Sequence, residues 1–155
     1  MLAVFYGFYR PLEAILIRFP QTDIGIDVRR RCKAAFLEED LRELGMSNAD
    51  PSTLSLCESL PKLTSVPEAL GCLYVLEGAT LGGRVIVPYL KKCLDPFAIL
   101  GYRFFNPYGE MTGPHWKDFC NVLVQNASRS KADDVILKSA SDTFQSLEEW
   151  FQRQA

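Results

Sequence analysis

The sequence predicts an all-α fold, a single domain over residues 1–155 with five or so helices around one core. Three observations carry this. Apolar residues recur at three- and four-residue spacings along most of the chain. Strand signals are sparse: few stretches alternate apolar and polar residues, and no Asn-Gly or Asp-Gly turn occurs. Breakers such as Pro20, Gly45 and Pro61 bound segments of helical length. With 155 residues, 48% of them hydrophobic and 23% charged, the chain can bury one sizeable core.

The elements follow in order. Met1 to Phe19 is apolar and aromatic and is closed by Pro20. Pro11 makes it either a kinked helix or a helix whose first turn begins at the proline. Its hydrophobic opening, with no capping residue ahead of it, raises the expectation that the chain starts partway through a larger fold. Asp27 is placed to cap a helix from Val28 to Leu44 ended by Gly45, with Val28, Cys32, Ala35, Phe36 and Leu44 on one face. "SNADPST" reads as a loop, and a short helix is expected near Leu54–Leu60. Ser65 and Glu68 have capping-box spacing, with Pro67 in the first turn of a helix that should meet a break near Pro88. The stretch from Asp95 to Gly113 is irregular and aromatic. Thr112 and Pro114 open another helix, through about Asn126. Ser130 opens the last one, whose apolar stripe is Ile136, Ala140, Phe144, Leu147 and Phe151.

Composition excludes several classes of function. A net charge of −2 without a Lys/Arg-rich tail gives no field for nucleic acid. No uninterrupted apolar run reaches the ~20 residues of a membrane span. The start has no basic region or small-residue cleavage site, so it does not read as a signal peptide. The five cysteines are scattered and never form a CxxC pair, which argues against disulfides and zinc and for reduced thiols in a cytoplasmic protein. His115 is the single histidine and reads as a surface or cap residue. Glu38, Glu39 and Asp40 read as a solvated acidic face, and Arg29, Arg30 and Arg31 as a solvated basic cluster. Glu13 and Glu77 sit in apolar helical settings, where each is expected to be buried and paired, with Arg10 or Arg84 as candidates.

The stretch "LYVLEGATLGGRVI" is the most informative. Gly78, Gly82 and Gly83 each cost a helix about 1 kcal/mol relative to alanine. Gly71, Gly78 and Gly82 are spaced to share one face, widened by Ala79 and Gly83. Two readings stand. The small residues let a second helix approach closely, or they lay bare backbone against a flat ligand. "GATLGG" lacks the preceding strand and the Lys-Ser/Thr end of a phosphate loop.

"LGCLYVLEGATLGGRVI" resembles the distal-helix signature of bacterial-type heme oxygenases. "LAVFYGFYRPLEAIL", "FFNPYGEMTGPHWKDF" and "TFQSLEEWFQ" resemble further segments of that family in the same order, so the resemblance covers nearly the whole chain. It implies a heme oxygenase-like helical domain with a glycine-kinked distal helix. The implied activity is cleavage of heme to biliverdin, iron and carbon monoxide with O2 and an external electron donor, such as a ferredoxin or flavin reductase. Gly78 and Gly82 would lay backbone over the heme, Gly83 would ease the kink, and Tyr9 would stand near the distal waters. Ala79 occupies a position that is often polar in relatives. Lys117 would pair with heme propionates, and Phe144 and Phe151 would pack the ring. The family's proximal histidine lies upstream of the segment that opens this chain, and His115 does not replace it, so no metal ligand is assigned. The alternatives are a non-catalytic member of the same fold, which binds heme weakly, holds another flat apolar ligand or acts as an interaction domain, and an unrelated bundle whose glycines only pack. An exposed proximal side implies homodimerisation or poor stability.

Overall fold

The computed structural model describes residues 1–45, 53–93 and 102–155. Six α-helices are present among them: α1 (Leu2–Leu16), α2 (Gln21–Ile24), α3 (Ala34–Glu43), α4 (Val66–Cys93), α5 (Thr112–Ser130) and α6 (Asp133–Gln154). Short 3₁₀ turns occupy Val28–Arg31, Arg103–Phe105 and Gly109–Met111. The described residues form no strand, so the fold is all-α. The loop expected at 47–53 and the irregular stretch at 95–101 fall outside the described residues, Thr53 excepted.

The long helix α4 is the centre, with α6 and α5 packed along it, while α1 packs on α3 and α6. Its start is the expected capping box: Ser65 N–H donates to Glu68 Oε2 at 2.8 Å, and Glu68 N–H reaches back to Ser65 Oγ at 3.4 Å. The expected break near Pro88 does not occur, and α4 continues to Cys93. A proline removes one backbone donor and crowds the turn before it, and here the helix accommodates both.

Pro11 likewise lies inside α1. A proline at position 11 cannot donate to the carbonyl of Gly7, and that carbonyl instead accepts from Cys57 N–H at 2.8 Å. The segment near 55–57 is thereby tied to α1. Bonded to another element, it forms no helix, and the short helix expected at Leu54–Leu60 is replaced by irregular chain.

The single helix expected from Val28 to Leu44 is split. Asp27 does cap its turn, accepting from Arg29 N–H at 3.1 Å. Cys32 is then extended (ψ 140°) and α3 begins afresh at Ala34. The cause is a carboxylate from another helix: Glu13 Oε1 accepts from Lys33 N–H at 2.6 Å and Oε2 from Ala34 N–H at 3.1 Å. Glu13 caps α3 in trans, satisfying first-turn amides that a continuous helix would bond internally. The restart rotates the helix, so α3 buries Ala34, Leu37, Asp40 and Leu41, while Ala35 and Leu44 are exposed. Gly45 follows with φ +81°, as its placement after the helix predicts.

The last helix starts at Asp133, not Ser130, after Lys131 turns in the left-handed region at φ 49°. Its buried face is Ile136, Ser139, Thr143, Ser146 and Trp150. Phe144, expected on the apolar stripe, is 54% exposed. Small hydroxyl residues replace large apolar ones because α6 lies close against α4. A Cβ added at Gly71 would overlap the carbonyl of Ile136, and Ser139 Oγ donates to Glu68 O at 2.7 Å.

By length and composition, Val66–Leu90 of α4 could cross a membrane, with a mean hydropathy of 1.4, and 56% of that window is buried inside the protein. Glu77 stands midway along it, buried and ion-paired.

Candidate functional site

The glycines of α4 divide between both readings. Gly71 packs against α6, and a Cβ at Gly83 would run into the backbone carbonyl of Phe105. These two allow close approach of neighbouring backbone. Gly78 and Gly82 do not. An added Cβ at Gly78 would make ordinary contact with Trp116 at 3.7 Å, and one at Gly82 would meet nothing nearer than Ile86 Cδ1 at 4.0 Å. Ala79 and Gly82 are exposed and Gly78 is half-buried. The result is a bare strip of helix facing outward, continued by the exposed Val85, Ile86 and Tyr89.

Beside this strip lies a cavity of about 150 Å³. Leu76, Ala79, Thr80 and Ile86 of α4 form one wall, and Phe5, Phe104 and Phe105 the other. Tyr9 and Lys33 complete the lining. The aromatic wall is interlocked: Phe5 lies 4.9 Å from Phe104 between centroids and 4.8 Å from Phe151, and Tyr9 meets Phe104 edge-on at 5.1 Å. Burial, with Glu13 nearby, pushes the Tyr9 hydroxyl far up, so it stays protonated.

Of the residues singled out from sequence, Tyr9 and Ala79 line the cavity, with Gly78 and Gly82 on the helix alongside. Gly83 serves backbone packing, and Phe151 supports the aromatic wall from behind Phe5. Lys117 is exposed on α5 and Phe144 on α6, and neither is among the residues lining the cavity.

Under α4 lies a charged cluster that the sequence only hinted at. Glu77 is 1% exposed. Its Oε2 pairs with Arg31 Nη1 at 2.6 Å, its Oε1 pairs with Lys33 Nζ at 2.6 Å, and Tyr108 Oη donates to Oε1 at 2.8 Å. Burial pulls the Glu77 carboxyl up, but Lys33, Arg31 and Tyr108 together pull it further down, below the ordinary glutamate value. Glu13, by contrast, is raised, because burial outweighs the amides and the Lys33 charge that favour its anion. Both glutamates are buried as expected, but Glu77 pairs with Lys33 and Arg31 and Glu13 with the backbone amides of Lys33 and Ala34, not with Arg10 or Arg84. Arg31 is no solvated cation: it is 8% exposed and also donates to the His115 carbonyl at 3.1 Å. Asp40 is likewise removed from the solvated acidic face, accepting from Arg103 N–H at 3.0 Å and Phe104 N–H at 2.9 Å. It thereby ties the aromatic wall to α3.

His115 is half-buried, so the surface reading holds only in part, and it lies inside α5 rather than capping it. Its ring stacks on Tyr108 at 4.3 Å, and its Nδ1 is buried without a hydrogen-bond partner. It does not line the cavity. Among the described residues no group of three or more His, Cys, Asp or Glu is arranged to hold a metal ion. The intrahelical glutamates were the only signal for the cluster. Nothing in the sequence pointed to Lys33.

Comparison with known proteins finds no family model, no curated protein and no solved structure that matches this chain.

Proposed function

We propose that this chain is a heme oxygenase-type protein that binds heme along the bare strip of α4. The reading extends to cleavage of heme to biliverdin, iron and carbon monoxide, with O2 and electrons from an external donor such as a ferredoxin or flavin reductase. The observation that supports it most is the outward-facing run of Gly78, Ala79 and Gly82 next to an apolar cavity containing Tyr9. Glycine weakens a helix, so glycines that no neighbouring backbone requires are best explained by a ligand that must come close.

The residues suit the flat face of a porphyrin better than they suit its iron. At Gly78, Ala79 and Gly82 the strip bears nothing larger than a methyl group, and its flank is aromatic and aliphatic. None of the residues lining the cavity carries an imidazole or thiol, and His115 is packed on Tyr108. Heme, when bound, supplies the redox chemistry. The chain's contribution is orientation of the ring by the strip, exclusion of water by Phe5, Phe104 and Phe105, and a protonated hydroxyl at Tyr9.

The test is titration of the full chain with hemin, with and without added imidazole, followed by reductant and O2. The expected result is a saturable Soret band, strengthened by imidazole, and biliverdin as product. Absence of saturable binding under both conditions rules the reading out. Ala79, a methyl group where a polar residue would order water, favours a second reading: a non-catalytic protein of the same type that holds heme or another flat apolar ligand. Saturable binding without biliverdin selects it.

A further inference from the structure

The cavity beside α4 is lined mostly by apolar side chains, but Lys33, Tyr9 and Thr80 also line it. Lys33 is 2% exposed, an uncommon environment for an ammonium. Its Nζ donates to Arg31 O at 2.7 Å and to Glu77 Oε1 at 2.6 Å. An ammonium has three donors. Among the described residues Lys33 Nζ has no third acceptor, only the Tyr108 ring face with its centroid 5.4 Å away. Tyr9, its hydroxyl protonated, is a second donor lining the same cavity. Thr80 Oγ1 has committed its proton to the Glu77 carbonyl at 2.7 Å and is left with acceptor capacity.

Size and polarity together define an occupant. An apolar cavity of roughly 150 Å³ holds one benzene-sized ring, and this cavity is about 150 Å³. A plain hydrocarbon ring would leave the buried N–H of Lys33 unmet, which is costly where water is excluded. A ring bearing an oxygen acceptor would meet it. The acceptor should be neutral: the Glu77 carboxylate and the nearby Glu13 already stand against the two cations Lys33 and Arg31. A carboxylate would add another buried negative charge to that group.

We propose that this cavity is a binding site for a single-ring molecule carrying a carbonyl at its buried end, with Lys33 and Tyr9 as the donors to that carbonyl and Lys33 as the residue that sets specificity. The site stands on the cavity and its lining alone and holds whether or not heme binds the outer strip.

The test uses the full chain and two probes of nearly identical shape, acetophenone and α-methylstyrene, which differ by C=O against C=CH2. Binding of each is measured by NMR titration to the wild type and to Lys33→Met. The expected result is that the substitution weakens acetophenone by about tenfold and leaves α-methylstyrene unchanged or tighter, as loss of one hydrogen bond from a charged donor implies. In the wild type, the Lys33 ammonium resonance should shift on adding acetophenone and not on adding α-methylstyrene. That measurement decides the matter if Lys33→Met does not fold. The proposal is overturned if the wild type binds neither probe, if the Lys33 resonance ignores acetophenone, or if a folded Lys33→Met weakens both probes equally or neither.

Discussion

Arg31 Nη1 lies 2.6 Å from Glu77 Oε2 across 46 residues of sequence, and Lys33 Nζ lies 2.6 Å from the other oxygen of the same carboxylate. One buried anion therefore holds two buried cations, and the turn before α3 is locked onto the middle of α4. Removing the anion leaves both cations uncompensated. Glu77→Leu should destabilise the protein by about 3–5 kcal/mol, a typical cost of breaking a buried pair. Urea unfolding of the two proteins at neutral pH measures it.

The same cluster predicts a pH dependence. Glu77 has a lowered native pKa, so its contribution is complete above the ordinary value of 4.5 and fades as pH falls through the native value. Glu13 and Asp40 are raised, so their contributions run the other way, complete below their ordinary values of 4.5 and 3.8 and lost as pH climbs through the native ones. The stability difference between wild type and Glu77→Gln should therefore be largest at neutral pH and shrink below about pH 4.5. Stability curves at several pH values test this, and a difference that grows in acid would contradict it.

Adjacent glycines should respond in opposite ways. Gly83→Ala must push against the Phe105 carbonyl and should cost roughly 2–3 kcal/mol, the upper range for overpacking. Gly82→Ala meets open space and should stabilise by about 0.5–1 kcal/mol through helix propensity. If the strip carries heme, Gly82→Ala should still weaken hemin binding, by about tenfold. Thermal unfolding with hemin titration separates the two effects.

Glu13→Ala should unfasten the start of α3. It removes the acceptor of the Lys33 and Ala34 amides and leaves them buried, at about 2 kcal/mol. Glu13→Gln keeps one oxygen acceptor and should cost less. Hydrogen exchange at those two amides reports the change directly.

Phe144 tests the family resemblance at a single residue. It is exposed on α6, so Phe144→Ala should move stability by less than about 0.5 kcal/mol. A loss of hemin affinity in a variant of unchanged stability would assign the ring to ligand packing, as the resemblance implies. Unchanged affinity would remove it from the site.

Helix class, the capping box at Ser65–Glu68, the Asp27 cap and the glycine after α3 were legible in the sequence because each is a local matter of a few bonds within one turn. The bare strip was legible in part. Spacing put Gly78 and Gly82 on one face, yet the same spacing could not separate them from Gly71 and Gly83, which serve packing. The apolar settings of Glu13 and Glu77 gave away their burial but not their partners, which come from a segment remote in sequence.

What the sequence determined by itself is therefore periodicity and punctuation: all-helical, one core, an unusual glycine helix. Tertiary structure decided the rest, through contacts that no local pattern encodes. A carboxylate from α1 ended one helix and began another. Pro11 freed a carbonyl that Cys57 took up, and Pro88 did not stop α4. Arg31 and Asp40, which read as surface charges, became buried because Glu77 and the amides at 103–104 awaited them. The physical reason is common to all of these. A charged group or a backbone amide is buried only when it meets its partner, and the partner's position is set by how whole helices pack.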